Sequence, residues 1–100
     1  MGLFSRKKKQ QAPSQSRLIL DVRNHTEYRE GHIDGAINIP VHELRTRIEE
    51  VKAVGKPVVT YCSSGKRSEH AALILSENEV VVTNGGGFNS LLKKMKSSSL

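Results

Sequence analysis

The chain has one cysteine among its 100 residues and no tryptophan. A single thiol cannot build an intrachain disulfide framework, so a reducing environment suits it. No cluster of Cys and His has the spacing of a zinc site, so no metal is expected. The aromatics are Phe4, Tyr28, Tyr61 and Phe88 alone, and a domain this small must then assemble its core mainly from aliphatic side chains. No apolar run is long enough to span a bilayer. The segment Gln10-Gln11-Ala12-Pro13-Ser14 is too polar for the apolar core of a secretory leader, which makes the cytoplasm the expected compartment. No motif calls for a cofactor: Gly85-Gly86-Gly87 lacks the spacing and the following Lys and Ser or Thr of a phosphate loop, and reads as a turn.

What is present is a formal charge of +6, and its placement matters more than its size. Residues 1–17 carry five cations and no acid, residues 93–100 add three lysines, and residues 18–92 set eight cations against ten acids. The body of the chain is therefore mildly acidic. Without a basic face or aromatic platforms, nucleic-acid binding is not expected. Residues 1–16 are polar and aperiodic and read as a disordered basic arm, followed by a domain over 17–96 and a flexible tail over 97–100. The opening Met1-Gly2-Leu3-Phe4-Ser5-Arg6 has Arg where an acylation signal wants Ser or Thr. Leu3, Phe4 and the basic run support at most weak contact with an anionic membrane surface. Lys93, Lys94 and Lys96 read as a solvated helix end, and nothing requires more than a monomer.

Leu18-Ile19-Leu20-Asp21-Val22 is nearly continuously apolar, the pattern of a strand covered on both faces. Asn24 with Glu27 three positions on forms a capping box and Gly31 a stop, which predicts a helix over His25–Glu30. Ala36–Pro40 reads as a short extended piece. Val41, Leu44, Ile48 and Val51 recur at helical spacing and predict an amphipathic helix of about a dozen residues closed by Gly55. A helix over Glu69–Ser76, beginning near Ser68, follows the cysteine, with Asn78 as a left-handed cap. Val80–Thr83 reads as a buried strand, Asn84–Gly87 as a sharp turn, and Phe88, Leu91, Leu92 and Met95 as the inner face of a last helix. Strands separated by helical crossovers give an α/β class: a small parallel β-sheet of four to five strands sandwiched by helices.

The chemistry concentrates in Pro57–Ser68. A β-branched run ends on Cys62, and a loop of small residues then carries two cations into a helix. A free thiol titrates at roughly 8.5, lower at a helix N-terminus or beside Lys or Arg. Ser63, Ser64 and Gly65 allow successive amides to curl inward as an anion nest, while Lys66 and Arg67 add charge that favours a thiolate and an anionic substrate. Cys62 is thus the candidate nucleophile, and Ser63, Ser64, Gly65, Lys66, Arg67 and Ser68 are the candidate binding residues. Asp21 and Arg23 read as a structural pair near the site, and His32 as a hydrogen-bonded structural histidine. A lone cysteine is more often a small buried hydrophobe, but its position after a strand and before a helix, with Gly65 and two cations, favours the nucleophile.

Leu20-Asp21-Val22-Arg23, Glu27-Tyr28, Gly31-His32-Ile33-Asp34-Gly35-Ala36-Ile37-Asn38-Ile39-Pro40, Tyr61-Cys62 with Gly65 and Arg67-Ser68, and Gly86-Gly87 together resemble the rhodanese family of single-domain sulfurtransferases. The similarity runs from about Leu18 to about Leu92, and Asn84 before the glycines is similar to the phage-shock-protein-E branch. The resemblance implies a rhodanese-like fold of five or slightly fewer parallel strands. It also implies a cysteine that takes sulfane sulfur from a donor such as thiosulfate, becomes a persulfide, and passes the sulfur to a thiophilic acceptor such as cyanide or a thiol. Ser63 stands where many relatives have Arg, and Glu79 where Gly is usual. Two rival readings remain: a cysteine phosphatase or arsenate reductase, whose loop places five residues between Cys and Arg against four here, and a non-catalytic rhodanese-like binding module.

Overall fold

The computed structural model describes residues 16–97, so the expected arm, apart from Ser16, and all of the expected tail after Ser97 lie outside the described residues. Four strands alternate with helices: β1 (Leu18–Asp21), α1 (His25–Glu30), β2 (Ile37–Asn38), α2 (Ile48–Val54), β3 (Val58–Cys62), α3 (Lys66–Glu77), β4 (Val82–Gly87) and α4 (Phe88–Ser97). All pairings are parallel in the order β2-β1-β3-β4, with Leu18 opposite Val58 and Val58 opposite Val82.

The strand alternation divides the core into two layers. Leu18, Leu20, Val58 and Cys62 point to one face and pack with Leu44, Val51, Ala71, Ile74 and Leu75, so α2 and α3 cover that side. Ile19, Val59 and Tyr61 point to the other, where Ile33, Ala36 and Leu91 are buried and Tyr28, Phe88, Leu92 and Met95 pack against them, so α1 and α4 cover it. Both faces of β1 and β3 are buried, which is why those strands read as continuous apolar runs.

Helix α1 has the predicted bounds, because both halves of its capping box form: the Asn24 side chain accepts from the Glu27 amide, and Glu27 accepts from the Asn24 amide. Three segments differ from expectation. The Val41–Val51 periodicity is divided between two 3-10 turns, Val41–Glu43 and Arg45–Arg47, and the short α2. There the Thr46 hydroxyl donates to the Glu43 carbonyl at 2.9 Å, taking up a main-chain acceptor as such side chains do. Asn78 has φ −107°, and the left-handed residue is Glu79 at φ 65°, a conformation that costs a non-glycine residue about 1 kcal/mol. Finally, the buried valine strand starts later than expected: Val81 is 72% exposed, and β4 runs from Val82 through the glycines.

That last difference builds the site. Asn84–Gly87 is a paired strand end with a register shift against Thr60–Cys62, and Gly87 lies opposite Cys62. A Cβ at Gly85 would stand 2.7 Å from the Thr60 carbonyl oxygen, and one at Gly87 would stand 2.5 Å from that of Ser63. The glycines are required by close approach of two backbones, which periodicity within one segment cannot reveal.

Candidate active site

Cys62 ends β3 at the carboxyl edge of the sheet, and α3 begins four residues later, at Lys66 rather than near Ser68. Gly65 precedes α3 with φ 103° and no side-chain cap, leaving the first-turn amides of the helix without intrahelical partners. Two amides point at the sulfur: Gly65 N–H donates to Cys62 Sγ at 3.0 Å and Ser68 N–H at 3.3 Å. The inward amides are thus those of Gly65 and Ser68, not the successive Ser63–Ser64–Gly65 run expected, and Cys62 beneath them is 1% exposed.

Ser68 is fixed by a polar cluster that runs from the buried Thr60 out to the exposed Asn84. Its hydroxyl donates to Asn84 Oδ1 at 2.6 Å and receives the Thr60 hydroxyl at 2.7 Å, and the same Thr60 group lies 3.2 Å from the Ser68 carbonyl. Asn84 Oδ1 also accepts from the Gly86 amide at 2.9 Å, tying β4 to the start of α3. Each buried polar group in this cluster has a partner, which makes its arrangement well determined.

At the mouth, Arg67 is engaged. Arg67 donates to both carboxylate oxygens of Glu27, at 2.8 and 3.1 Å, and to the Ser63 hydroxyl at 3.2 Å, while Ser63 donates to Glu27 at 3.0 Å. The guanidinium hydrogen bonds hold the Glu27 carboxyl down to about 2, with smaller contributions from the Asn24 amide and Ser63 and partial opposition from burial. The same pairing pushes Arg67 further up. Lys66 and Ser64 are exposed at the rim.

Asp21 and Arg23 form a second, deeper ion pair. Arg23 contacts both Asp21 oxygens, the shortest at 2.7 Å, donates to the Gly31 carbonyl at 2.6 Å, and lies over the Phe88 ring at 4.8 Å. Its pKa is raised chiefly by the Asp21 hydrogen bonds. Beside it, Tyr61 is fully buried and its hydroxyl accepts from the Ile33 amide at 3.0 Å; burial pushes its ionisation well above the usual value. His32 stacks on Tyr28 at 3.7 Å and donates from Nδ1 to the Tyr28 carbonyl at 2.8 Å, since a carbonyl can only accept. It has no hydrogen bond to the sulfur loop.

The structure thus gathers Cys62, Ser63, Gly65, Arg67 and Ser68 around one point and leaves His32 outside. Sequence reasoning missed Glu27, which reads only as a cap, and the Thr60–Asn84 support. The available signal for Glu27 was its place in a motif separated from the cysteine by more than 30 positions. Among the described residues no cluster of His, Cys, Asp and Glu could hold a metal ion, and no helix is long and apolar enough to cross a membrane.

A parallel sheet enclosed by helices, with a thiol at a strand's carboxyl end that accepts from two backbone amides, defines an α/β protein with a candidate thiol site. The chain belongs to the rhodanese-like domain family, whose sequence profile matches residues 5–94. It is 39% identical over 74 residues to the thiosulfate sulfurtransferase PspE of Escherichia coli, covering 72% of this chain and 71% of PspE. It is 38% identical over 81 residues to the uncharacterized protein YqhL of Bacillus subtilis, covering 79% of this chain; it spans only 64% of YqhL's length. Among solved structures, an E. coli rhodanese with anions superposes with a TM-score of 0.66 at 38% identity, over 74% of this chain and 89% of that one.

Proposed function

We propose that the protein is a sulfurtransferase working through a Cys62 persulfide: it takes sulfane sulfur from a small donor, thiosulfate or a persulfide, and passes it to a thiophilic acceptor such as cyanide or a thiol. The observation that carries this reading is the pair of inward amides, Gly65 and Ser68, aimed at one sulfur atom. A thiolate is the attacking species in sulfur exchange, and hydrogen bonds to an ionised acceptor are stronger than those to a neutral one. The nucleophile is already ionised, so no separate general base is required, and a leaving group such as sulfite departs as an anion without a general acid.

The identity to PspE supports the sulfur-transfer class. The phosphatase reading is disfavoured by the loop, one residue shorter than that pattern, and by Arg67, whose donors are held by Glu27. The test is formation of thiocyanate from thiosulfate and cyanide, with a thiol as second acceptor. Wild type is expected to turn over and Cys62→Ser to fall to background; equal rates in both would remove the nucleophile. Intact mass after donor treatment should rise by about 32 daltons at Cys62, reversed by cyanide, which separates persulfide from oxidation.

A further inference from the structure

The end of the sheet away from Cys62 gathers positive charge. Because the strands are parallel and each connecting helix runs back along the sheet, strand beginnings and helix ends share one edge. Arg17 stands before β1, and the Leu18 amide donates to the Pro57 carbonyl at 2.8 Å, which brings Lys56 to the same edge. Lys52 lies in the last turn of α2. Helix α4 starts where Gly87 lies opposite Cys62 and packs Leu91 and Met95 onto the layer of Ile19 and Val59, so its final turns, with Lys93, Lys94 and Lys96, reach the far edge too. Against these stand Glu77 and Glu79 at the end of α3, and Glu77 lies 3.8 Å from Arg45. Glu49 and Glu50 open α2 a turn away, where Arg47 holds Glu50. Cations stay in excess, and residues 6–9 add four more in the segment that leads to Arg17. A cleft of about 290 Å³ beside Lys52, Lys56 and Glu79 is lined by Val51, Pro57, Val80 and Val81, and Val81 and Val54 are 72% and 38% exposed.

We propose that this edge is a docking surface for an anionic phospholipid bilayer, reinforced by the cations at 6–9, and that it holds the Cys62 edge facing away from the lipid. Charge and apolarity together favour a membrane over a nucleic acid. The exposed valines sit among lysines whose heads can reach phosphates while their stems lie along apolar surface. Leu3-Phe4 precedes the basic run in the sequence. Single-stranded nucleic acid is held by stacking aromatics, whereas Tyr28, Tyr61 and Phe88 are packed in the core layer under α1 and α4. The cations at 6–9 attract an anionic surface weakly by themselves. A second cluster fixed on the fold and engaging the same surface multiplies that attraction. Docking of this kind does not depend on the chemistry at Cys62. It leaves the carboxyl edge of the sheet open to soluble donors and acceptors.

The test is flotation of the full chain with vesicles of phosphatidylcholine mixed with phosphatidylserine, against vesicles of phosphatidylcholine alone, at low and high salt. Binding is expected to the mixed vesicles only and should fall as salt rises. Lys52→Gln with Lys56→Gln should weaken it about tenfold, and Val81→Ser about threefold. Arg29→Gln removes an exposed cation from α1, the helix whose Glu27 meets Arg67 at the Cys62 edge, and should change binding less than about twofold. The substituted side chains are all exposed, so each variant should keep the wild-type unfolding curve. No binding to mixed vesicles, an unchanged affinity in the double lysine variant, or an equal loss in Arg29→Gln would overturn the proposal. Duplex DNA bound as tightly as the mixed vesicles, with no effect of Val81→Ser on either, would make the edge a general polyanion surface and would overturn it as well.

Discussion

The site has two ion pairs of the same chemistry in different surroundings. Under the loop, Asp21 and Arg23 have side chains 0% and 7% exposed; at its mouth, Glu27 and Arg67 are 29% and 39% exposed. The first pair is surrounded by a carbonyl and two rings and cannot be replaced by water, whereas the second can trade partners with a solute. A buried pair broken on one side leaves an uncompensated charge, and a rim pair broken the same way is rescued by solvent. The deeper pair is therefore a structural commitment, and the pair at the mouth is the more easily exchanged of the two.

The largest expected effect comes from breaking the deeper pair. Asp21→Asn removes the charge facing Arg23 and should cost about 3–5 kcal/mol in denaturant unfolding, a large share of the total stability of a small domain. Arg67→Ala should cost no more than about 1 kcal/mol. Similar losses in the two variants would show that burial does not separate the pairs.

A smaller effect is expected where β4 and the loop meet. Gly87→Ala would bring a Cβ to 2.5 Å from the Ser63 carbonyl oxygen, a backbone atom that can yield only if the loop moves. Overpacking of this kind costs about 1–3 kcal/mol. The Gly65 and Ser68 amides should lose their aim at Cys62 as the loop shifts, so sulfur transfer should fall more than stability does. A variant with wild-type transfer would mean that the β4 glycines do not hold the loop.

The same division explains what could be seen in the sequence. Helix α1 and strand β3 were legible because their determinants are local: Asn24, Glu27 and Gly31 for the helix, and a run of β-branched residues ending on Cys62 for the strand. The loop was legible as a thiol followed by small residues and cations. Its wiring was not, because Glu27 reaches Arg67 across 40 positions and Ser68 reaches Asn84 across 16. Asn84–Gly87 misled for the same reason: glycines that permit a turn also permit two strands to approach closely, and only the partner strand decides between them. From the sequence, Lys66 and Arg67 alike read as charge that favours a thiolate and an anionic substrate. In the structure Arg67 is paired and Lys66 is exposed on the first turn of α3.

Acid sharpens the contrast most finely. The Glu27 carboxyl titrates at about 2 in the folded chain, below its ordinary 4.5. A folded value below the unfolded one means that the unfolded chain takes up protons first as pH falls. The stabilisation from this pair is thus fully present above about 4.5 and disappears as pH drops toward 2. Glu43 and Glu50 are also lowered by Arg47, so the acid limb of the wild-type curve alone does not isolate Glu27. The stability difference between wild type and Glu27→Gln does, since the other carboxylates cancel. Discounted for solvent screening at the mouth, it should be about 1 kcal/mol near pH 6 and shrink to nearly zero by pH 2. A difference that stays constant across that window would show that the effect of the substitution does not come from the Glu27 carboxylate charge and its pairing with Arg67.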